Sequence, residues 1–143
     1  MPDLVAMNAT MSRKILDEPA QPLIEGGYAL RVLHTTGRRS GERRTTPLGV
    51  VQIDGELHLI SPDRGRAWVR NLEADPACEL APGDDPRTAV AAPPETAAPA
   101  ISAYLRAMRV PWALRAFPVT PEAGIEEITA HLHSIAVFRL DPR

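Results

Sequence analysis

The densest run of chemically able side chains is HTTGRRSGERRTTPL, residues 34–48. Gly37 and Gly41 permit a tight turn whose backbone N–H groups can point at one locus. Arg38, Arg39, Arg43 and Arg44 crowd that turn, and Ser40, Thr45 and Thr46 add hydroxyl donors. A guanidinium fork presents two parallel N–H groups that match two oxygens of a phosphate or carboxylate. Four such cations repel one another, so they meet an anion or lie open to solvent. For an arbitrary GRRSG the solvated loop is the commoner outcome.

The remaining polar residues organise less. His131 and His133 are two apart, which puts them on different sides of the helix read there, and His34 and His58 are distant in sequence. With one cysteine, Cys78, no metal-ligand spacing emerges and no metal is expected. Cys78 itself reads as a small buried residue in a strand. Asp84–Asp85 reads as a turn and Glu126–Glu127 as a solvated helix face. There is no GxSxG elbow for an esterase. GRRSGERR lacks the interleaved aromatics that stack on nucleic-acid bases.

The elements that must hold these groups follow from periodicity and punctuation. A helix or arm is expected over 4–17, then a loop with Pro19, Pro22 and Gly26–Gly27. ALRVLHTT (29–36) and TTPLGVVQI (45–53) read as strands flanking the arginine turn. Asp54–Gly55 is a strong hairpin signal, leading into ELHLIS (56–61), whose Leu57 and Leu59 alternate with Glu56, His58 and Ile60. RAWVRNLEA (66–74) turns helical and Pro76 ends it. Short strands at 77–81 and 87–91 precede a helix opened by Pro93–Pro94–Glu95 and broken by Pro111. Thr120–Pro121–Glu122 reads as a helix start, Thr120 capping, with that helix running to about His133. IAVFRL (135–140) is the last strand. Hairpin-linked strands with late helices point to an α+β arrangement around a small antiparallel sheet or barrel. Residues 1–28 are expected to form an arm and loop, and 29–143 a single domain. No GxGxxG is present, and no alternating βαβα run, so a Rossmann fold is not expected.

Composition bounds the rest. The chain has 143 residues, 44% hydrophobic and 24% charged, the profile of one soluble domain. A formal net charge of −2 argues against a protein that coats nucleic acid. No apolar run reaches the roughly 18 residues a transmembrane helix needs, and no secretory signal core is visible. The lone cysteine fits a reducing cytoplasm. Lys14 is the one lysine among 16 basic residues, a bias that reads as a GC-rich genome rather than chemistry.

The string LHTTGRRSGERRTTPL, followed by DGELHLIS and WVRNLEADP, resembles the deazaflavin-dependent nitroreductase and quinone reductase family. These are actinobacterial and archaeal oxidoreductases that use reduced coenzyme F-420 on a split β-barrel related to FMN-binding proteins. The resemblance is close over 33–76 and looser at the last strand. It implies that Arg38, Arg39, Ser40 and Gly41 hold the phosphodiester and acidic tail of the coenzyme, with Arg44 the following basic residue. It further implies that His34, Thr35 and Thr36 lie near the ring and phosphate-bearing chain, and that Pro47 and Leu48 lie beside the ring. Trp68 opens the helix beside the cleft, and Asn71 and Leu72 complete its NL signature, with core packing an equally ready role for Trp68 and Leu72.

The chain departs from the family pattern between the third strand and Trp68. The loop is only SPDRGRAW, without the Gly–Gly turn that family members often use, and Arg64 and Arg66 are candidates to replace part of it. The implied function is hydride transfer from reduced coenzyme F-420 to a small acceptor: a quinone, nitro compound or enone. FMN in the same fold, or a non-catalytic ligand-binding barrel, is the alternative. His34, the one histidine in the matched segment, is the candidate proton donor, with solvent or Tyr104 as alternatives. Tyr104, Trp112 and Phe117 are candidates for the acceptor pocket, where core packing is the commoner role of such residues. Split barrels often dimerise, so a homodimer is compatible with the sequence.

Overall fold

In chain order the elements are α1 (Leu4–Asp17), β1 (Tyr28–Thr36), β2 (Arg43–Ile53), β3 (Glu56–Ser61), α2 (Ala67–Ala74), β4 (Ala77–Ala81), β5 (Asp85–Ala91), α3 (Pro94–Ala107), α4 (Pro111–Leu114), α5 (Ile125–Ala130) and β6 (Ala136–Pro142). This computed structural model describes residues 4–83 and 85–143. Residues 1–3 of the expected arm and Asp84 of the expected Asp84–Asp85 turn lie outside the described residues.

The six strands close into a barrel in the order β1-β2-β3-β6-β5-β4, with every pairing antiparallel. The α+β barrel expected from the resemblance is the fold observed. Among the described residues no helix is long and apolar enough to cross a membrane. The hairpin at Asp54–Gly55 has φ of 53° and 76°, the left-handed pair that a type I′ turn requires. The Glu25 carboxylate accepts hydrogen bonds from the backbone N–H groups of both turn residues, which holds its pKa below the usual carboxylate range.

Strand alternation divides the apolar residues between two sides of the barrel wall. Leu33, Val50, Leu57, Leu59, Leu80, Phe138 and Leu140 form one cluster, joined by Trp68, Val69 and Leu72 of α2. Val51, Ile60 and Val137, offset by one residue, pack instead with Ile101, Tyr104 and Leu105 of α3 and Ile128 of α5. Ile15 of α1 packs with Val32 and Ala81 over β1 and β4. Each fully buried Leu or Ile contributes about 1.5–3 kcal/mol. The two larger clusters therefore fix the barrel that carries the arginine turn.

Four local expectations are corrected. Alternation in β3 implied one exposed face, but every residue after Glu56 is buried, because α3 covers the outside while the interior cluster fills the inside. His58 is thereby sealed at 1% exposure. Thr120 caps no helix: it accepts the Ala123 N–H in a turn at 3.0 Å, and α5 starts only after Gly124. Burial of Val119 and Ala123 against the α3 layer sets that path over the local cap signal. Pro111 ends α3's run but also opens the one-turn helix α4, as proline can at a first helical position. Because α5 ends at Ala130, His131 and His133 lie in a turn with their rings stacked 6.2 Å apart, not on opposite helix faces.

Candidate functional site

Strands β1 and β2 meet register to register, Thr36 opposite Arg43 and Thr35 opposite Arg44, leaving residues 37–42 as the connecting turn. Gly37 and Glu42 close it through a 2.7 Å backbone hydrogen bond, and Gly41 donates to the Gly37 carbonyl at 2.9 Å. Gly41 adopts φ +72°, a left-handed conformation that glycine enters without steric cost. The Ser40 hydroxyl accepts from the Glu42 N–H at 3.1 Å and from Arg44 Nη2 at 3.3 Å, bracing the turn from within.

A second brace comes from α2. Asn71, 3% exposed, accepts at Oδ1 from both the backbone N–H and Nη1 of Arg38, at 3.2 and 3.0 Å. Its Nδ2 donates to Thr35 Oγ1 at 3.3 Å, so one buried amide ties strand, turn and helix together. Asn71 was legible only as part of a signature, and its bracing role had no local signal. Trp68, one helical turn earlier, leans on Phe138 at 6.2 Å while its edge borders the open side. The same residue thus packs in the core and lines the groove.

The braced turn faces a groove of about 820 Å³ between it, α2 and α1. Arg38, Arg39, Ser40, Arg44, Thr45 and Trp68 line it, together with Arg43, Asn71 and one face of α1 from Val5 to Leu16. Arg13 of that face makes a fifth arginine, and among the described residues no acidic side chain lines the groove. Two of the arginines have carboxylates nearby: Arg43 meets Glu79 at 3.3 Å and Arg44 meets Glu42 at 3.8 Å, all on the exposed side. Arg13 and Arg39 have no carboxylate partner among the described residues. Five cations around one concavity make a strongly positive local field, suited to a ligand with several negative oxygens. The share contributed by α1 was missed from sequence. The signal was present in the spacing Val5, Asn8, Ala9, Ser12, Leu16, one stripe of a helix.

The structure separates other expected residues from this groove. His34, Thr35, Thr36 and Gly41 border a second, smaller recess of about 230 Å³ with Cys78, Glu79 and Arg143. His34 Nδ1 nevertheless shares a 3.0 Å hydrogen bond with Oγ1 of Thr45, a residue of the groove lining. Pro47 and Leu48 lie opposite Val32 and Arg31 in the β1–β2 ladder and border neither cavity, Leu48 packing toward the interior cluster. Tyr104 is a core residue, its ring 5.5 Å from Tyr28 and 5.7 Å from Phe117, and burial pushes its phenol well above the usual tyrosine range. Trp112 stands 69% exposed on α4, away from both cavities. Arg64 donates twice to the Leu132 carbonyl and, like Arg66, does not border the groove. Cys78 is buried as expected, with its thiol pushed up to about 11 by burial. Among the described residues no group of three or more His, Cys, Asp or Glu could hold a metal.

The groove is of the size that holds cofactors. It offers forked cations for anionic oxygens and a tryptophan edge for a flat ring. Ser12 is among its lining residues, its hydroxyl buried and without a hydrogen-bond partner among the described residues. These residues fit an anionic, ring-bearing cofactor. Residues 9–115 match the model of the F-420H(2)-dependent quinone reductase family. No curated protein matches the chain. Among solved structures, a protein described as a domain-swapped dimer aligns over 96% of this chain and 98% of its own, at 19% identity and a TM-score of 0.55. A conserved hypothetical protein from Mycobacterium tuberculosis aligns over 80% and 72%, at 19% identity and a TM-score of 0.56. A heme binding protein from Mycobacterium smegmatis aligns over all of this chain and 52% of its own, at 16% identity and a TM-score of 0.56. At such identities the likeness is one of fold.

Proposed function

We propose that the chain, which belongs to the F-420H(2)-dependent quinone reductase family, reduces a small quinone, nitro or enone acceptor in the groove between α1 and the arginine turn. The family's cofactor is coenzyme F-420. When bound and reduced, the deazaflavin supplies a hydride. This chain's residues bind and orient. Arg38, Arg39 and Arg44 take the phosphodiester and acidic tail, and Asn71 fixes Arg38 before the ligand arrives. Pre-set donors of this kind lose little conformational freedom on binding, which favours affinity. Trp68 forms the apolar wall at the α2 side of the groove. His34 borders the smaller recess and shares a hydrogen bond with Thr45 of the groove lining, so it stands as the candidate donor of the proton that completes reduction, with solvent as the alternative.

The observation that carries this reading is the groove bordered by five arginines and, among the described residues, no acid. A cytoplasmic setting suits the free, buried thiol of Cys78. The likeness to a domain-swapped dimer supports a homodimer, and Met7 and Met11, one turn apart on the exposed side of α1, offer it apolar contact.

A fluorescence titration with coenzyme F-420, run beside FMN, tests the reading. Micromolar deazaflavin binding that is lost in the Arg38→Ala/Arg39→Ala double variant, followed by acceptor-dependent oxidation of the reduced coenzyme, supports it. Binding of FMN alone removes the cofactor assignment. Coenzyme binding with no turnover on any quinone, nitro compound or enone leaves a carrier in place of an enzyme.

A further inference from the structure

We infer that α1 forms the second wall of the anion site, with Ser12 donating a hydrogen bond to, and Arg13 pairing with, an oxyanion of the coenzyme's tail. This rests on the reading that the groove takes coenzyme F-420. Ser12 is 6% exposed, and its hydroxyl has no hydrogen-bond partner among the described residues. A serine inside a helix ordinarily satisfies itself on the carbonyl four residues back, here Asn8, and Ser12 does not. Buried polar groups left unpaired destabilise a fold, so an orphaned hydroxyl bordering a groove marks where a ligand atom belongs. Ser12 lines the same groove that Arg38, Arg39 and Arg44 border, its hydroxyl lying just beneath the groove surface. A serine hydroxyl flanked by guanidinium groups is suited to donate to negative oxygen, since a charged acceptor makes the stronger bond. Arg13, adjacent on the helix, adds the charge that the hydroxyl lacks.

The face holding these two residues is anchored elsewhere. Ile15 packs into Val32 and Ala81, so α1 is seated on the barrel independently of any ligand. The position of Ser12 in the groove wall is therefore set by packing, and a ligand oxyanion would give its hydroxyl the acceptor it lacks. Phosphate and carboxylate oxygens share this chemistry, and the coenzyme carries both.

The test is a binding titration of wild type, Ser12→Ala and Arg13→Ala with three ligands: intact coenzyme F-420, the coenzyme trimmed after its phosphate, and the deazaflavin with its whole tail removed. Ser12→Ala is expected to weaken intact-coenzyme binding about tenfold, as loss of a hydrogen bond to a charged group does. It should leave binding of the tail-less deazaflavin unchanged. A loss that persists with the phosphate-terminated ligand assigns the phosphate as partner, and one that disappears assigns a carboxylate. The ligand-free Ser12→Ala protein should melt no lower than wild type, because the substitution removes an unpaired hydroxyl. Equal weakening of all three ligands, or a Ser12→Ala affinity for the intact coenzyme within twofold of wild type, overturns the inference while the cofactor reading stands. Absence of binding in the wild type itself is the separate failure that takes the reading down too.

Discussion

The Asn71 amide oxygen is shared by the backbone N–H and the guanidinium of Arg38, 33 positions away in sequence. The bond pair makes the arginine turn part of α2 rather than an independent loop. Asn71→Ala should therefore release Arg38 and leave Thr35 Oγ1 without its donor. Loss of buried hydrogen bonds of this type costs about 1–3 kcal/mol. A fall of that size in denaturant unfolding, with weaker coenzyme binding, is the expected result. An affinity matching wild type would show that Arg38 needs no brace.

Charge recognition sets a second expectation. The guanidinium groups that border the groove are largely exposed where they meet Glu42 and Glu79, so salt screens them. Coenzyme affinity should fall steadily between low and high ionic strength, and the slope should flatten in Arg38→Ala/Arg39→Ala. A titration at three salt concentrations reads this directly. Affinity independent of salt would place the binding energy in ring contacts instead.

Much of this arrangement was legible because local signals agreed with the tertiary fold. Asp54–Gly55 can form only a few turn types, and it fixed a hairpin that the structure repeats with the expected φ values. The limits of α1, β3 and β4 followed from breakers and periodicity alone. What escaped was long-range. Nothing near Thr120 announces that Val119 and Ala123 are drawn under α3, which overrides its capping chemistry. Tyr104 and Trp112 carry similar aromatic chemistry, yet one is interior and the other 69% exposed, because only the path of α3 and α4 decides. Likewise the α1 wall of the groove comes from docking at Ile15, a contact with Val32 and Ala81 that no sequence window spans.

Close approach at Gly49 gives a third test. A Cβ at this position would fall within the ring of Tyr28, which lies across the strand. Gly49→Ala must displace that ring and so disturb its edge-on contact with Tyr104 at 5.5 Å. Overpacking of this kind costs about 1–3 kcal/mol. The melting temperature should drop, and Tyr28→Ala should recover part of the Gly49→Ala loss in a double-variant cycle. Additive losses would mean that the ring had already moved aside.

Acid stability should depend on His58. Burial holds its imidazole pKa below the usual histidine value, and Nε2 has no hydrogen-bond partner among the described residues. The unfolded chain accepts a proton on this ring as pH falls through about 6.5, whereas the folded chain resists it. Protons then favour the unfolded state, so stability declines on the acid side of that value and is undisturbed by this group above it. His58→Leu should flatten the decline in unfolding curves between neutral pH and pH 5. An unchanged acid limb would assign the loss to carboxylates instead.

The alkaline limb should belong to Cys78. Its thiol is 3% exposed and pushed up to about 11, so the folded protein keeps it neutral where an unfolded chain ionises it from about 9. With the folded pKa raised, the group's full stabilisation is present below about 9 and is lost as pH climbs toward 11. A difference of that size corresponds to about 2–3 kcal/mol over the window. Replacing Cys78 with alanine removes the titrating group, and the stability profile above pH 9 should become shallower. The same burial predicts slow alkylation of the native thiol at pH 8, accelerating only under denaturing conditions. Rapid alkylation of the folded protein would instead show that the recess shared with His34 and Arg143 opens to reagent, and that the thiolate is reachable there.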